Sequence, residues 1–271
     1  MSGSAERDRL RRAREEREAQ ERSATDRRRR LRALGATAGV VVLLVAAVVA
    51  FGAFKGDPAD DGSRTEVDGV GVRGVAETTA LLRGLRQDGT TLGRRDAPVT
   101  ILEVADLKCP ACKAHEIETQ PAIVDRLVRT GRANLRMELV NFRDAPAGTT
   151  DGEGARRAAY ALAATDRFWT FAHLAFWNQG SELDAWASEP VLRAIAGAAP
   201  GLEPDDVDVR ETPASRSGIA AAERLAAALR TDATPSVYVV PRGSATGARV
   251  EDPGDVDALD RAVRQAAAKA R

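Results

Sequence analysis

Cysteine and histidine are both scarce in this 271-residue chain, which contains only two of each. The two cysteines allow one disulfide at most, and together with the two histidines they offer only four soft ligands for a metal ion. The net charge is zero, because 40 basic residues balance 40 acidic ones, so the overall charge gives no reason to expect a nucleic-acid partner. No fixed repeat is present, which excludes solenoid and collagen-like folds, and a hydrophobic content of 44% excludes a wholly disordered chain.

One long segment carries no charge, and its 21 residues, LGATAGVVVLLVAAVVAFGAF, occupy positions 34–54. At about 1.5 Å per residue, a helix of this length spans about 30 Å, which is the thickness of the hydrocarbon layer. The alternative is a cleaved signal peptide, but its apolar region is usually about 7 to 15 residues long and follows a short basic leader. Here 33 residues precede the segment. The sequence therefore predicts an uncleaved transmembrane helix over 34–54, in contact with the lipid bilayer.

The first 33 residues form a charged tail with 12 arginines and seven acidic residues. Since positive charge favours the cytoplasmic side, we expect residues 1–33 in the cytoplasm and everything after the membrane segment outside it. Acidic residues are interspersed among the arginines and the tail has no aromatic residue for base stacking, so we expect no nucleic-acid partner. Gly35 and Gly39 have the spacing of a helix-packing motif, which is only weak support for self-association.

Beyond the membrane segment, residues 55–74 are rich in Gly, Asp and Ser and are predicted to be a linker. Residues 75–271 then form a domain of ordinary size. Its first apolar run, VTILEVA at 99–105, has no polar alternation apart from Thr and Glu and predicts a buried strand. The remaining patterns predict, in chain order, a helix after Cys109, a strand at 133–142, a helical block at about 151–210, a helix at 217–230, a strand at 236–240 and a helix at 255–270. This order indicates an α/β fold with an inserted helical subdomain.

The two cysteines stand together as Cys109-Pro110-Ala111-Cys112. A structural disulfide between them would close a loop of four residues and contribute roughly 2 kcal/mol, against about 4.7 for a 100-residue loop. The close spacing therefore favours a redox-active disulfide, which opens and closes during a reaction, over a structural disulfide. Cys109 follows the buried strand and precedes a helix, whose N-terminus stabilises a thiolate; the pKa of such thiols falls to about 3.5 to 7.5. Cys109 is the expected nucleophile and Cys112 the resolving thiol.

Other readings of these residues remain open. Cys109, Cys112, His115 and His173 would be just enough for a zinc site, although this spacing departs from the usual finger arrangement. Two inert thiols are a further possibility. We expect His115 on the helix surface, and Lys108 either adds positive charge beside Cys109 or points into solvent. The aromatic residues of the helical block are expected to form its core; the alternative is a partner groove.

From Thr91 to Ala270 the chain resembles the DsbA-like thiol-disulfide oxidoreductases, which have a thioredoxin fold with an inserted helical subdomain. The resemblance is carried by Asp96-Ala97-Pro98-Val99-Thr100, by Glu103, by Asp106-Leu107-Lys108-Cys109-Pro110-Ala111-Cys112 and by Thr234-Pro235-Ser236. It implies that Pro235 is a cis-proline lying against the redox pair, with Thr234 before it. It also implies that Glu103 is a buried acid that exchanges a proton with the resolving thiol. The other reading of Glu103 is a core-edge residue paired with a basic neighbour.

One position departs from the pattern of the strongly oxidising members, because Ala111 stands where they have a histidine. That histidine helps to hold the thiolate. Its absence predicts a less oxidising couple, nearer about −180 to −270 mV than about −120 mV.

The sequence thus predicts a membrane-tethered oxidoreductase outside the cytoplasm that exchanges disulfides with exported cysteine-containing proteins and is recycled by a membrane redox partner. No cofactor and no metal are expected. Oxidase is the first choice of direction. A reductase or isomerase would use the same residues, and a redox-inert or zinc-bearing binding module is the alternative from another class.

Overall fold

The computed structural model describes residues 64–245 and 247–270. The predicted cytoplasmic tail at 1–33 and transmembrane helix at 34–54 lie outside these residues. Within the described part of the chain, no helix is both long enough and apolar enough to cross a membrane.

Strands and helices alternate along the chain, as the sequence predicts. The strands are β1 Thr65–Val67, β2 Val70–Val72, β3 Gln87–Asp88, β4 Thr91–Leu92, β5 Val99–Ala105, β6 Asn134–Leu139, β7 Ser236–Pro241 and β8 Ala248–Arg249. The helices are α1 Val75–Leu82, α2 (consecutive segments Pro110–Ala114, His115–Thr119, Gln120–Ile123 and Val124–Val128), α3 Asp144–Ala147, α4 Asp151–Ala163, α5 Phe168–Trp177, α6 Glu189–Ala198, α7 Pro213–Ala228 and α8 Val256–Lys269, with one 3₁₀ turn at Pro204–Asp206.

Six strands form one sheet in the order β3-β4-β6-β5-β7-β8. Strand β5 lies at the centre, parallel to β6 and antiparallel to β7. Six of its seven residues are buried, in keeping with its continuous apolar sequence. Because β5 and β6 are parallel, their carboxyl ends meet at the same edge of the sheet, and the segments that follow them are neighbours there.

Successive side chains of β5 point to opposite faces of the sheet. Val99, Ile101 and Ala105 belong to the larger core, whereas Leu102 and Val104 contribute to a smaller cluster on the other face. The larger core is continuous with the interior of the helical block. The sheet and the inserted helices therefore share one interior.

The helical block between β6 and β7 is built around α5, all ten residues of which are buried. A helix that is hydrophobic all round belongs in an interior. Phe168 packs against Tyr160 of α4 with ring centroids 5.7 Å apart, and against Trp169 at 6.2 Å. These aromatic side chains form the core of the block, as the first of the two sequence readings expects.

The segment 55–74, predicted as a linker, is folded over part of its length. Strands β1 and β2 pair as a hairpin around Asp68 and Gly69, both of which have positive φ angles, 49° and 77°. An Asp-Gly pair is the residue choice that a tight two-residue hairpin favours. Val67 and Val70 pack against the larger core, so hydrophobic burial explains why these residues are not a free tether.

Helix α2 passes through Pro121 without ending. Proline cannot donate a backbone hydrogen bond and crowds the preceding turn, and the helix widens to π-helical turns at His115–Thr119 and again at Val124–Val128. His115 and Glu116 are buried in the first of these turns. The surface position predicted for His115 is wrong, because the turn places its side chain in the interior.

Candidate active site

Cys109 lies at the end of the turn that connects β5 to α2. It is the N-cap residue of the helix, with an extended backbone, and its carbonyl accepts the backbone N–H groups of Cys112 and Lys113 at 3.0 and 3.1 Å. Pro110 follows as the first helical residue, a position where a missing N–H costs nothing. The sulfur of Cys109 is therefore at the positive end of the helix dipole.

The two thiols have opposite acidities. A hydrogen bond from Cys112, the largest effect, lowers the pKa of Cys109 to about 4 even though burial opposes the shift, and Arg143 adds to the lowering. Burial raises the pKa of Cys112 well above its usual value, and the charge on Cys109 raises it further. Both cysteines are free thiols in this structure. At neutral pH Cys109 is therefore a thiolate and Cys112 a thiol, which is the difference that the predicted roles of nucleophile and resolving thiol require; the roles themselves stay a prediction.

The structure brings Thr234 and Pro235 to the redox pair from a distant part of the chain. The Thr234–Pro235 peptide bond is cis. Cys109 Sγ lies 3.3 Å from the carbonyl oxygen of Thr234. Thr234 therefore stands beside Cys109, and Pro235 follows it in the chain; the part of both residues in the exchange stays a prediction.

Cys109 is fully buried, with an exposed fraction of 0%. Its sulfur is enclosed by Cys112, Thr234 and Arg143. Of these three residues, only Arg143 has a substantially exposed side chain, at 40%.

Sequence reasoning did not identify Arg143, which follows the end of β6. Its Nη2 atom lies 3.6 Å from Cys109 Sγ, and its Nη1 atom lies 3.4 Å from a carboxylate oxygen of Glu182. The residue stands in a polar loop 34 positions after Cys109, so no local motif marks it. Only the pairing of β5 with β6 could have pointed to it.

Asp106 holds this arrangement together. One carboxylate oxygen accepts the N–H groups of Phe142 and Arg143 at 2.7 and 3.1 Å, and the other accepts the N–H of Lys108 at 2.8 Å. The loop after β6 is thereby fixed to the turn that carries Cys109. Burial raises the pKa of Asp106, although these three backbone hydrogen bonds oppose the shift.

Gln179 fixes the same turn from the side of the helical block. Its Nε2 atom donates to the carbonyl oxygens of Leu107 and Cys109 at 2.7 and 3.1 Å. Gln179 is itself buried. Asp106 and Gln179 thus fix the cysteine turn from two sides, and of these two residues sequence reasoning had not singled out Gln179.

Lys108 does not point into solvent, as one reading of the sequence allowed, but is completely buried. Its Nζ atom lies 3.1 Å from Asp144 Oδ1 and 2.6 Å from Asp151 Oδ1, and it also donates to Thr149 Oγ1 at 2.6 Å. A buried charge requires such partners. Gly152 makes room for the lysine, because a Cβ there would lie 2.9 Å from Lys108 Cδ. The two carboxylates take up the positive charge of Lys108, so it adds little at Cys109.

Glu103 is fully buried on β5, as the resemblance implies. It belongs to a cluster that sequence reasoning found only in part: Gln120 Nε2 donates to Glu103 Oε2 at 3.1 Å and to Glu116 Oε1 at 2.9 Å. Burial raises the pKa of Glu116 well above its usual value, and the neighbouring Glu103 raises it further. His115 Nε2 lies 3.9 Å from Glu103 Oε2. The charge of Glu103 also contributes to the raised pKa of Cys112, so the cluster and the resolving thiol interact.

Among the described residues, no group of three or more His, Cys, Asp or Glu side chains has an arrangement suited to a metal ion. His173, one of the four candidate zinc ligands, is buried in α5, where its Nδ1 atom shares a 2.7 Å hydrogen bond with Thr78 Oγ1. Burial lowers the pKa of His173 to about 4. Its role in the described structure is to join α1 to the helical block.

Comparison with known proteins gives a consistent result. A family model described as thioredoxin matches residues 86–263. The disulfide bond formation protein D of Bacillus subtilis (strain 168) is 29% identical over 156 residues, which cover 55% of this chain and 66% of that protein. The probable disulfide bond formation protein D of Bacillus cereus is 29% identical over 109 residues, covering 39% of this chain and 47% of that protein. The matches thus span from about half to just under two thirds of these curated relatives.

Two solved structures share the fold. The crystal structure of oxidised BdbD from Bacillus subtilis superposes with a TM-score of 0.55 at 23% identity, covering 68% of this chain and 96% of that one. The crystal structure of Chlamydia trachomatis DsbA gives a TM-score of 0.51 at 20% identity, covering 65% and 88%. These likenesses confirm the predicted thioredoxin-like α/β fold with a helical insertion.

Proposed function

Since this chain belongs to the thioredoxin family, we propose that it is a thiol-disulfide oxidoreductase that forms disulfides in exported proteins through Cys109 and Cys112. The observation that carries the proposal is the opposite shift of the two thiol pKa values, in the only two cysteines of the chain. Perturbed acidities of this kind are typical of groups that take part in chemistry. The similarity to two disulfide bond formation proteins supports the same activity.

The reaction begins with the oxidised protein, in which Cys109 and Cys112 are joined. A client thiolate attacks the sulfur of Cys109, the disulfide breaks, and Cys112 leaves with the electron pair and takes up a proton. A second client thiolate then attacks the client sulfur of the mixed disulfide, and Cys109 leaves as a thiolate. The client dithiol has lost two electrons and two protons; the enzyme has gained both electrons and retains one proton on Cys112.

The low pKa of Cys109 favours this direction. A thiol of low pKa is a good leaving group, and stabilising its thiolate stabilises the reduced enzyme, which makes the couple more oxidising. The pKa near 4 lies at the low end of the range for such pairs. It opposes the expectation, based on Ala111, of a weakly oxidising couple. A reductase or isomerase would use the same two sulfurs in the opposite or alternating sense.

Glu103 and its neighbours are proposed to move the proton of Cys112. The resolving thiol must lose its proton when it attacks a mixed disulfide and regain one when it leaves, but it is buried and its own pKa is high. Glu103 has no exposed surface and influences that pKa. A buried carboxyl that can gain or lose a proton close to the thiol supplies general acid-base catalysis. No cofactor is needed for this exchange.

We further propose that the domain acts outside the cytoplasm, tethered by residues 34–54, and that a membrane redox partner reoxidises the pair. The uncharged 21-residue segment and the arginine-rich tail before it support this arrangement. The clients are exported proteins with unpaired cysteines, because disulfides persist in oxidising compartments.

The test is a trapping experiment with the full chain expressed in its membrane. A Cys112→Ala variant lacks the resolving thiol, so mixed disulfides between Cys109 and client proteins should accumulate in the membrane fraction. The Cys109→Ala, Cys112→Ala double variant is the matched control and should trap nothing. The purified oxidised wild type should also remove two thiols from each reduced client molecule. An empty trap, together with zinc bound to the wild type, would favour the binding module instead.

A further inference from the structure

A cation that the redox motif does not contain lies on the sulfur of the nucleophile. We propose that Arg143 is a catalytic residue of the disulfide exchange, and that it stabilises the Cys109 thiolate in place of the histidine that this chain lacks at position 111. The inference rests on the proposed function, because it concerns the same sulfur. It adds a residue that neither the Cys-x-x-Cys segment nor the cis-proline loop supplies.

The fold delivers Arg143 to this position. Cys109 follows β5 and Arg143 follows β6, and the carboxyl ends of these two parallel strands lie side by side. Asp106 then fixes the backbone of Arg143 to the cysteine turn through the hydrogen bond at 3.1 Å. The guanidinium reaches Cys109 Sγ at 3.6 Å, which is within the distance for a hydrogen bond to sulfur.

The other charged groups around the sulfur cannot take this role. Lys108, next in sequence, is directed away into its pair with Asp144 and Asp151. Asp106 is a carboxyl, and its negative form disfavours a thiolate. Within the described residues, Arg143 is the cation in contact with Cys109 Sγ, and Cys112 and Thr234 are the other groups that lower the pKa of this thiol.

Glu182 gives Arg143 a partner in the oxidised enzyme. When Cys109 is part of a disulfide it carries no charge, and the arginine retains the carboxylate 3.4 Å away on its other nitrogen. When the disulfide is reduced, a full negative charge appears on Cys109 and the guanidinium stabilises it. The interaction is therefore stronger in the reduced enzyme than in the oxidised one, which is the condition for an effect on the redox equilibrium.

The measured reaction is the equilibrium with glutathione. Two glutathione thiols reduce the Cys109–Cys112 disulfide and form one glutathione disulfide; Cys109 becomes a thiolate, Cys112 a thiol, and one proton is released. An opposite charge in contact with an ionisable group shifts its pKa by about one to three units. Arg143 is partly exposed and shared with Glu182, so we expect about one unit, which corresponds to about a tenfold change in this equilibrium, or about 30 mV.

The experiment compares the full-length wild type with Arg143→Gln, Arg143→Lys and Arg216→Gln. Ultraviolet absorbance of the thiolate gives the Cys109 pKa, and glutathione titration gives the equilibrium constant. Arg143→Gln should raise the pKa by about one unit and shift the equilibrium about tenfold toward the protein disulfide. Arg143→Lys keeps the charge but loses the forked geometry, and should recover part of both effects. Arg216 pairs with Glu211 on the exposed start of α7, and its loss should change neither.

Two results would overturn the assignment. One is an Arg143→Gln variant whose Cys109 pKa and glutathione equilibrium match the wild type. The other is an equal shift in Arg143→Gln and Arg216→Gln, which would indicate a general effect of net charge. Failure of the proposed function would differ from both, since the wild type itself would then not exchange disulfides. Thermal unfolding shows whether each variant is folded. If Arg143→Gln does not fold, the same two measurements on Arg143→Lys, which is similar in size and keeps the charge, test the assignment.

Discussion

Replacing Lys108 with methionine should destabilise the domain strongly, although the side chain touches no reacting atom. Methionine fills a similar volume but cannot compensate the carboxylates of Asp144 and Asp151, whose side chains are each only 9% exposed. Asp144 would keep four donors, from Asn141, Thr149 and the backbone N–H groups of residues 152 and 153. Asp151 would keep the backbone N–H of Ala187, at 2.8 Å. The uncompensated charge therefore falls mainly on Asp151.

The magnitude follows from the burial of these groups. Removing one partner from a buried ion pair costs about 3 to 5 kcal/mol. Because the donors that remain on Asp144 reduce this cost, we expect about 3 kcal/mol, a large part of an ordinary stability of about 5 to 15 kcal/mol. In urea, with a slope of about 2 kcal/mol per molar, the midpoint should fall by about 1.5 M.

The pH dependence of the wild type gives a second measure of the same cluster. Burial would raise the pKa of Asp144, but hydrogen bonds from Asn141, Thr149 and Lys108 outweigh it and lower this pKa to about 2. A carboxyl with a lowered pKa stabilises the folded state above its ordinary value of 3.8, and the stabilisation is lost as the pH falls through the folded value. About 2 kcal/mol should therefore disappear between about pH 4 and pH 2.

The assay is urea unfolding of the full chain at neutral pH, followed by circular dichroism. Lys108→Met combined with Asp151→Asn should recover part of the loss, because the second change removes the uncompensated charge. Arg210→Met, which breaks a pair with Asp208 on the exposed surface, is the matched control and should leave the midpoint unchanged. A loss below about 1 kcal/mol, or a double variant less stable than Lys108→Met alone, would refute the reasoning.

Two further predictions concern the redox pair. The pKa of Cys109 is lowered to about 4, so its alkylation rate should stay at the neutral-pH value down to about pH 5 and be halved near pH 4. A midpoint near pH 8 would show an ordinary thiol. Glu103→Gln should slow the release of glutathione from its mixed disulfide with Cys109 by about tenfold or more, because Cys112 loses a nearby proton acceptor. Glu118→Gln, on the exposed side of α2, should not slow this release. Equal rates in the two variants would remove Glu103 from the mechanism.

Much of the fold could be predicted because its signals are local. The apolar run at 99–105 and the glycines and prolines between the helices determine where elements begin and end, and these patterns need no long-range information. The hairpin at Thr65–Val72 was missed for a different reason. Its strands are only three residues long, and they are stabilised by packing against the core, which a window of sequence does not show.

Only those residues of the active site that belong to a recognisable sequence motif could be predicted. Cys109 and Cys112 stand out because the chain has no other cysteine, and Glu103, Thr234 and Pro235 follow from the family resemblance. Other side chains that surround them come from segments whose sequences look like ordinary loops and helices, among them Arg143, Asp144 and Gln179. Their importance lies in tertiary contacts, and a fully buried lysine such as Lys108 is contrary to the usual distribution of this residue.

The adjacent ends of β5 and β6 have a consequence for how such proteins are compared. The two residues between the cysteines are the part of such a site that is easiest to compare from sequence. Here a neighbouring strand provides a second place where substitutions can tune the couple while the motif stays the same. Two chains with identical Cys-Pro-Ala-Cys segments can then differ in oxidising power, and a survey of such sequences should align the residue that follows the neighbouring strand as carefully as the motif itself.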